Sequence, residues 1–221
     1  MRRVAVLGLL LVTACGSEPS TQTPQPGNAS LKVSPPIYAS ELVQFEPGPG
    51  AGFGQDDLPG VVLGGPRPGA SGAGSLDVLS LGAGGWIVLG FGGRSITDGP
   101  GPDFVVFENA FEVANSPGQV YAELGLVSVS TDAVTWHDFT CNPGGFGEDE
   151  WQGCAGWNPT SPYDVENMEP LDADATGGDA FDLLDLGLSA VSFVRIKDLG
   201  EDNTAPTAGF DLDAIGAVHL R

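Results

Sequence analysis

Carboxylates gather in three short stretches of this 221-residue chain, DGPGPDFVVFEN, GGDAFDL and GFDLDA. The first carries Asp98, Asp103, Glu108 and Asn109, the second Asp179 and Asp182, and the third Asp211 and Asp213. Calcium takes roughly six to eight oxygens, mixing carboxylates with backbone carbonyls and water, and aspartates beside glycine turns supply that mixture. Asp211 and Asp213 stand two apart in an expected strand, so both project from one face while Phe210 and Leu212 project from the other. Strict alternation puts Asp103 and Asn109 on one face of their strand and Glu108 on the other. They meet one ion only if the strand ends or bulges at Glu108. A single aspartate in a glycine turn is ordinary turn chemistry; it is the three clusters together that point to a cation. The expected ligands of a structural calcium are therefore Glu108, Asn109, Asp179, Asp182, Asp211, Asp213 and Asp103, with the exit end of the first stretch preferred and Glu108 as its ligand. The spacing of an EF-hand loop does not occur.

The start of the chain bears on where this chemistry takes place. Arg2 and Arg3 precede an apolar run, Val4 to Val12, followed by small residues. That is the pattern of a secretory leader, and its apolar run is far short of the roughly 20 residues that span a bilayer. Val12-Thr13-Ala14-Cys15 resembles a bacterial lipobox, which implies cleavage before Cys15 and lipidation of that cysteine. Several acyl chains on one residue anchor stably, at about 0.8 kcal/mol per buried methylene. Gly16 follows the cysteine where an inner-membrane retention signal would carry aspartate, so the resemblance favours the outer membrane or cell surface. The next residues, GSEPSTQTPQPGNAS, lack large apolar side chains and read as a flexible tether. The expected organisation is a leader over 1–14, lipidated cysteine and tether over 15–35, and one domain over 36–221.

Charge and cysteine usage narrow the partners. The formal net charge of −21 becomes −23 once Arg2 and Arg3 leave with the leader. Such a chain repels nucleic acid and anionic lipid, while its 41% apolar content argues against disorder. With Cys15 lipidated, Cys141 and Cys154 remain as a pair in an oxidising compartment, and a disulfide between them is expected. The loop they close holds Phe146 and Trp151 among Glu148, Asp149 and Glu150, with Trp157 just beyond. Aromatic faces beside carboxylates can stack on sugars while the acids accept hydroxyl hydrogen bonds; the same aromatics can instead cap the end of the fold as a small satellite core. Arg195 alternates with Val194 and Ile196, so its guanidinium faces away from them, towards a carboxylate or a ligand. Trp86 and Trp136 sit in strand contexts and are expected in the core. No catalytic residue emerges. His137 and His219 have no serine or cysteine partner in a recognisable motif, and the glycine-rich LGAGG lacks the strand-to-helix context of a nucleotide site. Paired carboxylates serve glycoside hydrolysis, but among 29 acidic residues some pair always looks suitable.

The elements that must position these groups follow a β rhythm. Strands are expected over Ser40–Phe45, Ser75–Leu81, Trp86–Phe91, Phe104–Glu108, Ala122–Ser130, Phe193–Lys197 and Phe210–His219, with a single helical turn at Phe181–Gly187. The 34 glycines and 18 prolines supply the turns between them. Short strands with such turns, and no crossover helices, predict an all-β antiparallel sandwich of the jelly-roll kind with long Gly/Pro/Asp-rich loops.

Particular stretches carry a resemblance. VSVSTDAVTW at 127–136 resembles the Ser-x-Asp-Gly-x-x-Trp hairpin of discoidin-like, galactose-binding-type jelly rolls, FVRI at 193–196 their arginine-bearing strand, and GFDLDAI at 209–215 their closing strand. Ala133 stands where that turn usually has glycine, which implies a different turn type. From about Val43 onward the chain also resembles a group of secreted bacterial cell-surface proteins that share GSLDVLSLG, DGPGPDFVVFEN, GGDAFDL and GFDLDA. The resemblance implies a jelly roll at the bacterial surface, within a superfold that often carries calcium and binds glycans at loop ends; fold does not fix function. The expected role is a lipid-anchored binding or adhesion module with a glycan or an envelope protein as partner. A polysaccharide hydrolase and a surface-layer component without a small ligand are the rival readings.

Overall fold

The computed structural model describes residues 37–67, 69, 74–116, 118–144, 151–161, 165, 168, 171–200 and 204–221. The leader, Cys15, the tether and Phe146 lie outside them. The strands are β1 Glu41–Glu46, β2 Leu79–Ser80, β3 Trp86–Gly90, β4 Ile96–Thr97, β5 Phe104–Glu108, β6 Phe111–Glu112 and β7 Val120–Tyr121. They continue as β8 Gly125–Ser130, β9 His137–Asp138, β10 Asp179–Phe181, β11 Ala190–Val191, β12 Phe193–Asp198 and β13 Asp211–Ala217. One antiparallel sheet has the order β1-β3-β12-β8-β9 and the other β10-β5-β13-β2, while β4 pairs β11 and β6 pairs β7. No helix among the described residues is long and apolar enough to cross a membrane.

Alternation decides how the two sheets meet. Val194 and Ile196 of β12 lie opposite Leu89 and Ile87 of β3 on one side and Val129 and Val127 of β8 on the other. Phe104 and Val106 of β5, Phe181 of β10, and Leu212 and Ile215 of β13 face them across one apolar core. Each such side chain contributes roughly 1.5–3 kcal/mol on burial. The result is an all-β sandwich, as the sequence led us to expect.

The four-stranded sheet is also covered on its other face. Val105 and Phe107 pack there with Tyr38, Val165, Leu171 and Ala214. Burial on both faces explains why β5 reads FVVF without polar alternation and why all five of its residues are buried.

Asp179 opens the short strand β10, directly after Gly177 and Gly178 at φ of 64° and 73°, and pairs with Val106. Two expectations need correction. The register of β13 against β5 shifts between Leu212 and Ala214, so Asp213 sits at a β-bulge and leaves the simple alternation with Asp211. Trp86 and Trp136 are half-buried and absent from the apolar core, because the outer face of the five-stranded sheet is only partly covered. Ala133 lies in the turn that follows β8. Its φ of 58° is the left-handed conformation more usual for glycine. The single helical turn is present as a 3-10 helix, Leu183–Leu186, capped by the Asp182 side chain and closed by Gly187 in the left-handed region.

Candidate functional site

The two ends of β5 use their acids differently. At the entry end, carboxylate oxygens of Asp98, Asp103 and Asp182 lie within 4.8 Å of one another. Asp103 is wholly buried; its Oδ1 accepts the Gly99 amide at 2.9 Å and its Oδ2 the Leu183 amide at 2.8 Å. Burial pushes its carboxyl above the ordinary range, the Leu183 and Gly99 amides oppose this, Asp182 adds to it, and His219 opposes it weakly. Asp182 accepts the Leu184 amide as a helix cap. Asp103 therefore ties the entry turn to the 3-10 helix and Asp182 caps that helix, each through hydrogen bonds the fold itself supplies.

The exit end is built otherwise. Glu108 follows Phe104 and Val106 on the core side of β5, and Asp179, opposite Val106, faces the same way. Both are almost fully buried, at 4% and 5% exposure. Glu108 Oε2 and Asp179 Oδ1 have no hydrogen-bond partner among the described residues. The other Asp179 oxygen accepts the Gly156 amide at 2.6 Å and the Trp157 amide at 3.2 Å. Burial drives the Glu108 carboxyl well above its usual range, reinforced by the charges of Asp211, Glu123 and Asp179. Asp179 is pushed up to about 7 by burial, against the pull of the amides at Gly156, Trp157 and Asn158. Asp211 is raised by burial and eased by hydrogen bonds from Ser80 and Asn109.

Of the expected ligands, the structure thus brings Glu108, Asp179 and Asp211 into one electrostatic group, with Asn109 beside Asp211. Asn109 also holds the 75-region, accepting the Ser75 amide and donating to the Ser75 carbonyl at 3.3 Å. Asp103 and Asp182 belong to the other end, since β10 runs antiparallel to β5 and carries Asp179 and Asp182 apart. Asp213 accepts the Arg67 amide at 3.1 and 3.0 Å through its two oxygens, an anchor for that loop. Glu123 is a member of the exit group that sequence reasoning missed, because it read as part of a longer strand beginning at Ala122.

Unpartnered carboxylate oxygens this deeply buried need a proton or a cation, since a lone buried charge is far too costly to keep. A hard, oxygen-seeking ion is one such partner, while the three carboxylates whose oxygens come within 4.8 Å of one another are those of Asp98, Asp103 and Asp182 at the entry end.

The disulfide between Cys141 and Cys154 is formed, with an S–S distance of 2.04 Å. Beyond it Trp157 is partly exposed, and its indole N–H donates to the Cys154 carbonyl at 3.1 Å. Trp151 is half-buried with φ at 59°. Arg195 lies on the outer face of the five-stranded sheet. Its guanidinium sits 4.4 Å over the Trp136 ring and donates to Ser128 Oγ at 3.1 Å and Asp138 Oδ1 at 3.4 Å. These partners are separate from the surroundings of Trp157, so pairing with a carboxylate is the role the geometry gives it.

Two adjoining clefts flank β10, the free edge of the four-stranded sheet. The larger, about 870 Å³, has Cys141, Asn142, Gln152 and Gly153 beside the disulfide as one wall and Phe139, Phe181 and Leu186 as apolar lining. The smaller, about 390 Å³, is lined by Trp157, Asn158, Asp174 and Asp179. Gly153, Ala180 and Phe181 border both. No protein-family model matches the chain, and no curated protein matches it. A functional reading therefore rests on this geometry.

Proposed function

We infer that this chain is a lipid-anchored binding module of a bacterial cell envelope, a β-sandwich stabilised by calcium at the exit end of β5. The observation that carries the calcium reading is the pair of buried, unpartnered carboxylate oxygens, Glu108 Oε2 and Asp179 Oδ1. Two such atoms, one of them under the charges of Asp211, Glu123 and Asp179, suit an ion, and the binding energy of that ion adds to folding.

Calcium at ten times its dissociation constant should then contribute about 1.4 kcal/mol, raising Tm over the EDTA-treated protein by about 3–6 °C for a domain of this size. Magnesium should not substitute, because it resists dehydration and demands stricter octahedral geometry. Differential scanning fluorimetry in EDTA, then with either ion, measures this. Equal melting in all three buffers would sink the calcium reading.

The anchor rests on Val12-Thr13-Ala14-Cys15 and is tested separately. Expressed in a bacterium that processes lipoproteins, the protein should enter the detergent phase on phase partition, and Cys15→Ser should move it to the aqueous phase. Wild-type protein found in the aqueous phase would overturn the anchor and leave the calcium reading untouched.

A further inference from the structure

We propose that the cleft between the Cys141–Cys154 disulfide and β10 takes a neutral oligosaccharide, with Trp157 as the face on which a sugar ring rests; this rests on the reading of the chain as a binding module. The lining chemistry is the first reason. Trp157 offers an exposed aromatic face, Asn142 and Gln152 offer exposed amides, and Asp174 and Asp185 offer exposed carboxylates. A sugar presents apolar C–H faces to an aromatic ring and hydroxyl donors to carboxylates and amides, so the two sets match. Neither lobe has a lysine, arginine or histidine among these lining residues. A uronate or sulfated glycan would find no counter-charge there, and the acidity of the whole chain would repel it.

Rigidity is the second reason. The Trp157 indole is fixed through Cys154, its backbone amide through Asp179, and the Asn158 side chain through the Gly178 carbonyl at 2.6 Å. Gly153 and Gly177 line the walls with φ of 73° and 64°. A Cβ on either would approach the Thr140 or Pro159 carbonyl oxygen to 1.9 or 2.2 Å, so the backbone holds positions that only glycine allows. Beneath the cleft Phe181 stacks on Phe104 with centroids 5.2 Å apart and meets Phe139 edge-on at 4.9 Å. A preformed cleft loses little conformational freedom on binding. Its larger lobe lies within the range of about 300–1,000 Å³ seen for small-molecule sites, and the shared border at Gly153, Ala180 and Phe181 lets one chain of sugars run across both lobes.

The test is an array of neutral hexose oligosaccharides, uronate and sulfated glycans, and a lysine-rich peptide, probed with the full-length protein in detergent micelles. Neutral oligosaccharides should bind, and titration with the best of them should show Trp157→Ala weakening affinity about tenfold or more, as truncation of a buried aromatic anchor does. Asn142→Ala combined with Gln152→Ala, both exposed and outside the core, should also weaken it and guards against a Trp157 variant that fails to fold. Trp136→Phe, outside the cleft, should bind as the wild type does. Neutral-glycan binding that survives the cleft variants would overturn this site while the binding-module reading stands. Preference for anionic glycans, or for the lysine-rich peptide alone, would overturn the ligand class. No binding across the array would overturn both this inference and the binding-module reading, with the calcium measurement still separate.

Discussion

With calcium chelated, raising the pH from about 4 to 8 should lower the unfolding free energy by about 4 kcal/mol through Asp179 alone. Its carboxyl rises from an ordinary value of 3.8 to about 7 in the fold, and each unit corresponds to about 1.4 kcal/mol. The folded state then binds more protons than the unfolded chain between these two values. Its contribution is fully present below the unfolded value and is lost as the pH rises through the folded one. Glu108 is shifted the same way and steepens the loss, with Asp211 and Glu123 as the charges that face it. Urea melts in EDTA at several pH values measure the slope. General repulsion in so acidic a chain has the same sign, so the discriminating variant is Asp179→Asn. It keeps an acceptor for the Gly156 and Trp157 amides, carries no charge, and should flatten the pH dependence and be more stable than the wild type at pH 8 in EDTA. Calcium should reverse the wild-type trend, because its ligands must be deprotonated. A chelated wild type whose stability is flat or rises from pH 4 to 8 would refute this account of the exit end.

Local features of the fold and the exit end are legible in the sequence. Phe104–Glu108 reads as a strand with the bounds it has, because its apolar run lies between turn residues and an acidic exit. The pairing of Cys141 with Cys154 follows from counting cysteines. What stayed hidden depends on register between distant segments. β10 spans only Asp179–Phe181 behind two glycines, too short for alternation to announce it, yet its pairing with β5 is what turns Asp179 towards Glu108. The bulge at Asp213 breaks a periodicity that the sequence displays without fault. For the same reason GGDAFDL looked like one acidic cluster and is two, with Asp179 serving the exit end and Asp182 the entry end. Trp157 could be picked out as an aromatic among acids, but its fixed orientation comes from the Cys154 carbonyl and the Asp179 carboxylate.

Replacing Cys141 and Cys154 together by serine should lower stability by about 3 kcal/mol, the chain-entropy value for a loop of about 15 residues; here the cysteines are 13 positions apart. The effect should reach beyond entropy, since the Cys154 segment continues directly into Gly156 and Trp157. The Gly125–Ala155 bridge and the two amides on Asp179 hold that segment against both sheets. Freed of its covalent brace, the Cys154 segment orders these donors less firmly, so the double variant should also show a smaller calcium-induced gain in Tm than the wild type. Urea melts of oxidised wild type and double variant, each with and without calcium, separate the two contributions. A loss of stability with an unchanged calcium gain would mean that the disulfide only shortens the unfolded chain. A loss below about 0.5 kcal/mol would mean that the unfolded chain is little constrained by it, contrary to the loop-closure argument. The expected result is both a lower midpoint and a reduced response to the ion, because the braced Cys154 leads directly into the Gly156 and Trp157 amides that fix Asp179.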